Sequence, residues 1–199
     1  MDLPPLQLSH EFLPVPALFY SSETGQPFRH CLTCDGHLLQ DGTPYLVEKA
    51  IRNYPGAGLQ DVIFEYAMCL TCAQQLREEL SVDSRTRIDA YFSENVNLVA
   101  RREALLSLPD PLRLENWLSH CLITGTSLER CTEYQLFAQC DGGDLLFGYM
   151  PYVISGEAME EIQELISPHT REILDNFMDT HFGLPPELRE LLQDRLVFL

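Results

Sequence analysis

Apolar and polar positions along the chain fall into two series that run in the same order. Pro44–Ile51 and Asp61–Met68 are short, β-branched and aromatic runs on either side of the loop Asn53-Tyr54-Pro55-Gly56-Ala57-Gly58, and they predict a pair of strands. Ala73–Leu80 contains strong helix formers and no breaker. Ser81–Glu94 predicts a second helix, with Ile88, Tyr91 and Phe92 on one face, and Leu98–Leu106 a third. Pro109 and Pro111 interrupt, and Leu112–His120 reads as a short helix with proline at its start. A hairpin is predicted over Glu133–Tyr149, turning at Asp141-Gly142-Gly143-Asp144. Ser155 is placed to cap a helix whose apolar face is Ala158, Met159, Ile162, Leu165 and Ile166. Upstream, Leu6–Tyr20 is too apolar for a free tail and too rich in proline for a helix. It predicts an extended arm laid on the body, with Gly25-Gln26-Pro27 turning the chain.

The two series correspond residue by residue. His30-Cys31-Leu32 is echoed by His120-Cys121-Leu122, and Asp61–Tyr66 by Asp144–Tyr149. A shift of 86 places Ser81 on Ser167, Arg85 on Arg171, Asp89 on Asp175 and Leu98 on Leu184 without a gap. Leu108-Pro109-Asp110-Pro111-Leu112-Arg113 is echoed by Leu184-Pro185-Pro186-Glu187-Leu188-Arg189. These matches predict an internal duplication whose halves pack face to face, since two units are too few for a solenoid.

Composition narrows the setting. The chain has 199 residues, 45% of them hydrophobic, enough to bury a real core. The N-terminus Met1–Pro5 lacks a basic leader region and no apolar run reaches ~18 residues, so a cytoplasmic address is expected and no membrane span. The net charge is −17, which repels nucleic acid and anionic membrane and favours a partner with a basic surface. Lys49 is the only lysine.

The tetrapeptide Cys-Leu-Thr-Cys occurs twice, at 31–34 and at 69–72. In a reducing compartment such pairs more often hold a metal or exchange electrons than form structural disulfides, and the seven cysteines leave one over in any scheme of disulfides alone. Zinc takes four tetrahedral thiolates, and two residues between ligands let both sulfurs of a pair face one ion. The second pair opens a helix, whose N-terminal dipole favours thiolate at Cys69 and Cys72.

The order of these parts (turn with Cys31 and Cys34, two-stranded hairpin, helix bearing Cys69 and Cys72) resembles the treble-clef zinc finger over roughly residues 28–80. The resemblance implies one structural zinc ion on Cys31, Cys34, Cys69 and Cys72. Some treble clefs are nucleases of the HNH type, with a catalytic histidine in the hairpin. Here residues 38–68 hold no histidine, so that activity is not expected. The main rival is redox chemistry: strand, CxxC and helix at Phe64–Gln75 is also the local setting of a thioredoxin-like centre. In the second half the shift places Cys69 on Ser155 and Cys72 on Ala158, and Cys34 falls on Thr124. Only Cys121 keeps its place, so that unit is expected to be metal-free, with Cys121, Cys131 and Cys140 packed as small apolar groups. Trp117, the sole tryptophan, is assigned to the core.

Glu157, Glu160, Glu161 and Glu164 stack on the face of the Ser155 helix opposite its apolar residues, a solvated face or a site for a basic segment of a partner. The expected architecture is therefore α+β. Residues 1–28 form the arm, 29–118 a zinc-binding treble-clef-like unit with a helical extension, and 119–199 its degenerate metal-free counterpart. The expected function is non-catalytic, a zinc-stabilised protein that binds another protein. A CxxC thiol–disulfide enzyme and a nucleic-acid-binding zinc finger are the alternatives.

Overall fold

A computed structural model describes residues 11–54 and 57–183. Among them the chain is α+β, six helices on an antiparallel sheet. The strands are β1 (Glu11–Pro14), β2 (Pro44–Tyr54), β3 (Leu59–Cys69), β4 (Glu133–Asp141), β5 (Asp144–Phe147) and β6 (Tyr152–Ser155). The helices are α1 (Leu70–Glu79), α2 (Val82–Asn95), α3 (Leu98–Leu106), α4 (Leu114–Leu118), α5 (Gly156–Gln163) and α6 (Pro168–Phe182).

The sheet runs β1-β5-β4-β2-β3, and β6 shares the outer edge of β4 with β5. The two long hairpins thus join edge to edge through β2 and β4, with Glu48 opposite Phe137 near the middle. This corrects the expected face-to-face packing. Once β2 and β4 pair, each has neighbouring strands on both edges, which face-to-face packing leaves undone for one edge of each. The echo of Leu108–Arg113 by Leu184–Arg189 and the start of the arm at Met1–Pro5 lie outside the described residues.

Both faces of the central strands are covered, so β2 reads as an almost continuous buried run rather than an alternating one. On one face α6 sets Phe182 5.8 Å from Phe64 and Phe177 5.9 Å from Tyr66. On the other lies the arm, which pairs β1 with β5, then makes a 3-10 turn over Ala17–Phe19 that buries Phe19 completely. Burying a side chain of that size stabilises by roughly 1.5–3 kcal/mol. Lys49 secures the arm. Its ammonium donates to the carbonyls of Tyr20 (2.7 Å) and Leu18 (3.2 Å) and lies 2.9 Å from Glu65. Glu65 in turn accepts from the backbone and hydroxyl of Ser22 at 2.6 and 2.9 Å.

Helix ends follow local chemistry. Ser81, Ser155 and Ser167 each accept from the backbone N–H three residues on and so cap α2, α5 and α6. The caps of α2 and α6 also meet. Ser81 N–H donates to Thr170 Oγ1 at 3.0 Å, Ser167 N–H donates to Ser84 Oγ at 2.8 Å, and the hydroxyls of Ser81 and Ser167 lie 3.0 Å apart. The helix predicted over 112–120 is shorter, Leu114–Leu118, because His120 is drawn into a bridge with Ser127. Trp117 is core as expected. It donates to the Pro111 carbonyl at 2.7 Å and lies under the Arg101 guanidinium, 5.0 Å from the ring centre.

Candidate metal centre

The four sulfurs of Cys31, Cys34, Cys69 and Cys72 lie within 4.8 Å of one another. Two elements bring them together. The first pair sits in a tight turn closed by Cys31 N–H to Gly36 O (2.9 Å) and Asp35 N–H to Cys31 O (3.0 Å). Asp35 adopts φ +57°, a left-handed conformation that costs an L-residue about 1–2 kcal/mol. The second pair sits where β3 passes into α1, with Cys69 as the residue before the first helical turn. Leu32 N–H to Ala67 O (2.9 Å) ties the turn to β3, and Cys69 N–H donates to Cys31 Sγ at 3.4 Å.

The donor set suits a soft or borderline cation. Tetrahedral Zn–S bonds of ~2.3 Å put neighbouring sulfurs about 3.8 Å apart. Cys34 Sγ and Cys69 Sγ are 3.9 Å apart. Cys31 and Cys72 are buried, Cys69 is half-buried and Cys34 is exposed, so an ion here would meet solvent on the side of Cys34 and Cys69. The protonation pattern differs from that expected of a helix N-terminus. Burial opposes ionisation of Cys31, yet N–H donors from Cys34, Cys69 and Thr33 outweigh it and hold the thiol at about 7. Burial raises Cys69 and, with the neighbouring sulfurs and the charge on Cys31, pushes Cys72 far above the usual thiol range. Four thiols this close cannot all ionise on their own. A divalent cation at their centre removes that conflict.

The second half builds the same turn around one sulfur. Cys121 N–H donates to Thr126 O (2.8 Å), Gly125 N–H to Cys121 O (3.0 Å), and Leu122 N–H to Val153 O (2.7 Å). Gly125 has φ +67°, where the first turn has Asp35. Ser155 stands where Cys69 stands, and its N–H and hydroxyl each donate to Cys121 Sγ at 3.2 Å, with Thr124 N–H at 3.5 Å. Burial resists the Cys121 thiolate, but these donors prevail and lower its pKa below the ordinary value. Cys131 and Cys140 are buried, and burial raises both, Cys140 to about 12. Among the described residues the four-cysteine group alone gathers enough ligands for a metal ion.

Of the acidic stripe, Glu157, Glu160 and Glu161 project from α5 into solvent, and Glu164 lies just past its last residue. Glu161 is engaged within the fold: the Tyr91 hydroxyl of α2 donates to it. The stripe and the cysteine cluster are not brought together. Sequence reasoning missed the Lys49–Glu65 clamp, because a lysine in an apolar strand gives no local sign of being buried. No protein-family pattern, curated protein or solved structure matches the chain. No helix of the described residues is long and apolar enough to cross a membrane.

Proposed function

We propose that the chain is a zinc-stabilised, non-catalytic protein that binds another protein in the cytoplasm. Convergence of the four sulfurs from two distant turns carries the reading. A zinc ion there would join the arm-proximal turn to the strand–helix junction. Such a closure contributes about 10–16 kcal/mol of apparent binding free energy in small zinc domains.

The chain is, in this reading, two treble-clef-like units, 29–118 and 119–199, the first holding zinc and the second metal-free. The matched hydrogen bonds of the two turns support it. The sheet register supports it further. Tyr45 faces Cys69 as Tyr134 faces Ser155, which makes Tyr45 the counterpart of Tyr134 and Glu48 the counterpart of Phe137. Glu48 and Phe137 face each other, as counterparts on a two-fold axis do. Ser81 and Ser167, counterparts by the shift of 86, also meet. Ser155 and Thr124 then donate to Cys121 where the first unit offers metal ligands.

A thiol–disulfide enzyme is the second reading, favoured by the exposure of Cys34 beside the depressed Cys31 thiol. Mass spectrometry of the native protein with metal analysis separates the two. We expect one zinc per chain, lost in Cys34→Ser and Cys72→Ser and kept in Cys131→Ser. A metal-free protein that cycles between dithiol and disulfide in redox buffer refutes the zinc reading.

A further inference from the structure

The outer edge of β3 has no partner strand among the described residues. β3 closes one end of the sheet. Leu32 N–H reaches Ala67 O from outside, so Ala67 turns its backbone groups away from β2. Alternation then turns Glu65 outward. The register slips between Ala50 and Ile51, leaving Ile63 as the extra residue, and beyond it Val62 and Gln60 turn outward. None of these three residues has a backbone hydrogen bond on that side within the described structure. Buried backbone groups do not stay unpaired, and exposed ones are a template for another strand.

The usual guards of an edge are thin here. β3 contains no lysine and no proline. The bulge at Ile63 bends the strand but leaves Leu59–Val62 ahead of it. Leu59 is 64% exposed, and Tyr54 across from it and Val62 are exposed too. Charge selects the occupant. The charged residues of β3 are Asp61 and Glu65. Lys49 already pairs Glu65 and Glu133 holds Arg52, which leaves the exposed Asp61 as the acidic group of this edge, on a chain of net charge −17. A second copy would bring the same sign to the same edge.

We infer that β3 receives an extended, basic segment of a partner protein as an added strand, paired along Gln60–Glu65. This rests on the protein-binding reading and names its surface. Backbone pairing supplies the affinity of such complexes, and alternate side-chain contacts the selectivity. Arginine or lysine on the incoming strand would lie near Asp61, and apolar positions against Leu59 and Val62.

The probe is the peptide acetyl-Arg-Val-Arg-Val-Arg-Val-amide, titrated into the zinc-loaded full chain labelled with nitrogen-15. Shifts should concentrate at residues 59–66. An all-Glu counterpart, and the same peptide N-methylated at alternate residues, should bind at least tenfold more weakly. Val62→Pro removes an outward N–H and no bond to β2, so zinc content and folding should persist while affinity drops at least tenfold. Gln60→Pro serves as the second variant if Val62→Pro does not fold. No response at millimolar peptide overturns the proposal, as does equal binding of the acidic peptide. Shifts confined to α5 overturn it while leaving a protein-binding role intact. Self-association abolished by Val62→Pro would assign the edge to a second copy. Slow amide exchange at Gln60, Val62 and Glu65 in the free monomer would assign it to the chain itself. Either result refutes a partner strand.

Discussion

Lys49→Met tests the clamp that holds the arm. The substitution keeps most of the side chain's volume and removes the ammonium. Three acceptors lose their donor: the carbonyls of Tyr20 and Leu18 and the carboxylate of Glu65. The Lys49 and Glu65 side chains are only 6% and 12% exposed, so water replaces little of what is lost. Breaking one side of a buried ion pair costs about 3–5 kcal/mol, a large part of the ~5–15 kcal/mol that holds a domain folded. Ser22 still donates twice to Glu65, which places the expected loss near the lower end of that range. The measurement is urea unfolding of zinc-saturated protein, read as the shift in midpoint at constant slope. The double variant Lys49→Met with Glu65→Leu removes both charges and should recover at least half of the loss, because an apolar pair has no stranded carboxylate. The pair also fixes a pH dependence. Burial works against the Glu65 carboxylate, but bonds from Lys49 and Ser22 prevail and lower its pKa. Its contribution is therefore present above the unfolded carboxylate value of ~4.3 and lost as pH falls through the lower folded value. The wild type should lose stability across that acid window faster than the double variant. A cost below about 1 kcal/mol for Lys49→Met, or a double variant no better than the single, refutes the clamp.

Three further variants probe the matched turns. Thr124→Cys, Ser155→Cys and Ala158→Cys together should raise the metal content from one zinc per chain to two, and a triple variant that folds with one zinc refutes the correspondence of Cys121 with Cys31. Asp35→Gly should stabilise the metal-free protein by about 0.5–1 kcal/mol by relieving the left-handed conformation, while Gly125→Ala should cost about 1–2 kcal/mol, both read from thermal unfolding. Equal effects of the two changes would show that the turns are not alike.

Much of the local structure was legible. The helix Leu98–Leu106, the start of α2 at Ser81 and the cap Ser155 stand where the pattern places them, because capping chemistry and apolar spacing are local properties. The four cysteines were legible from spacing alone. Long-range pairing was not: nothing in Tyr45–Ile51 says that Tyr134–Cys140 lies alongside it. β6 was missed because four residues after Pro151 are too few to show a period. In the metal-free site burial raises Cys69 and Cys72 while backbone donors lower Cys31, so the helix terminus alone does not set which thiol is the most acidic before an ion binds.

The pairing of β2 with β4 has a consequence for synthesis. Pro44 faces Asp141 and Arg52 faces Glu133, so roughly 90 residues separate the partners. A ribosome adding about 5–20 residues each second leaves β2 without its central neighbour for some 5–20 s. The four cysteines, Cys31 to Cys72, have all left the ribosome well before that interval ends. On the zinc reading, metal capture would lock the first hairpin and its helix before β4 exists, and the nascent chain would wait with one closed unit rather than a loose strand. On the zinc reading proposed above, ions supplied during translation would close that first unit before its central neighbour is made.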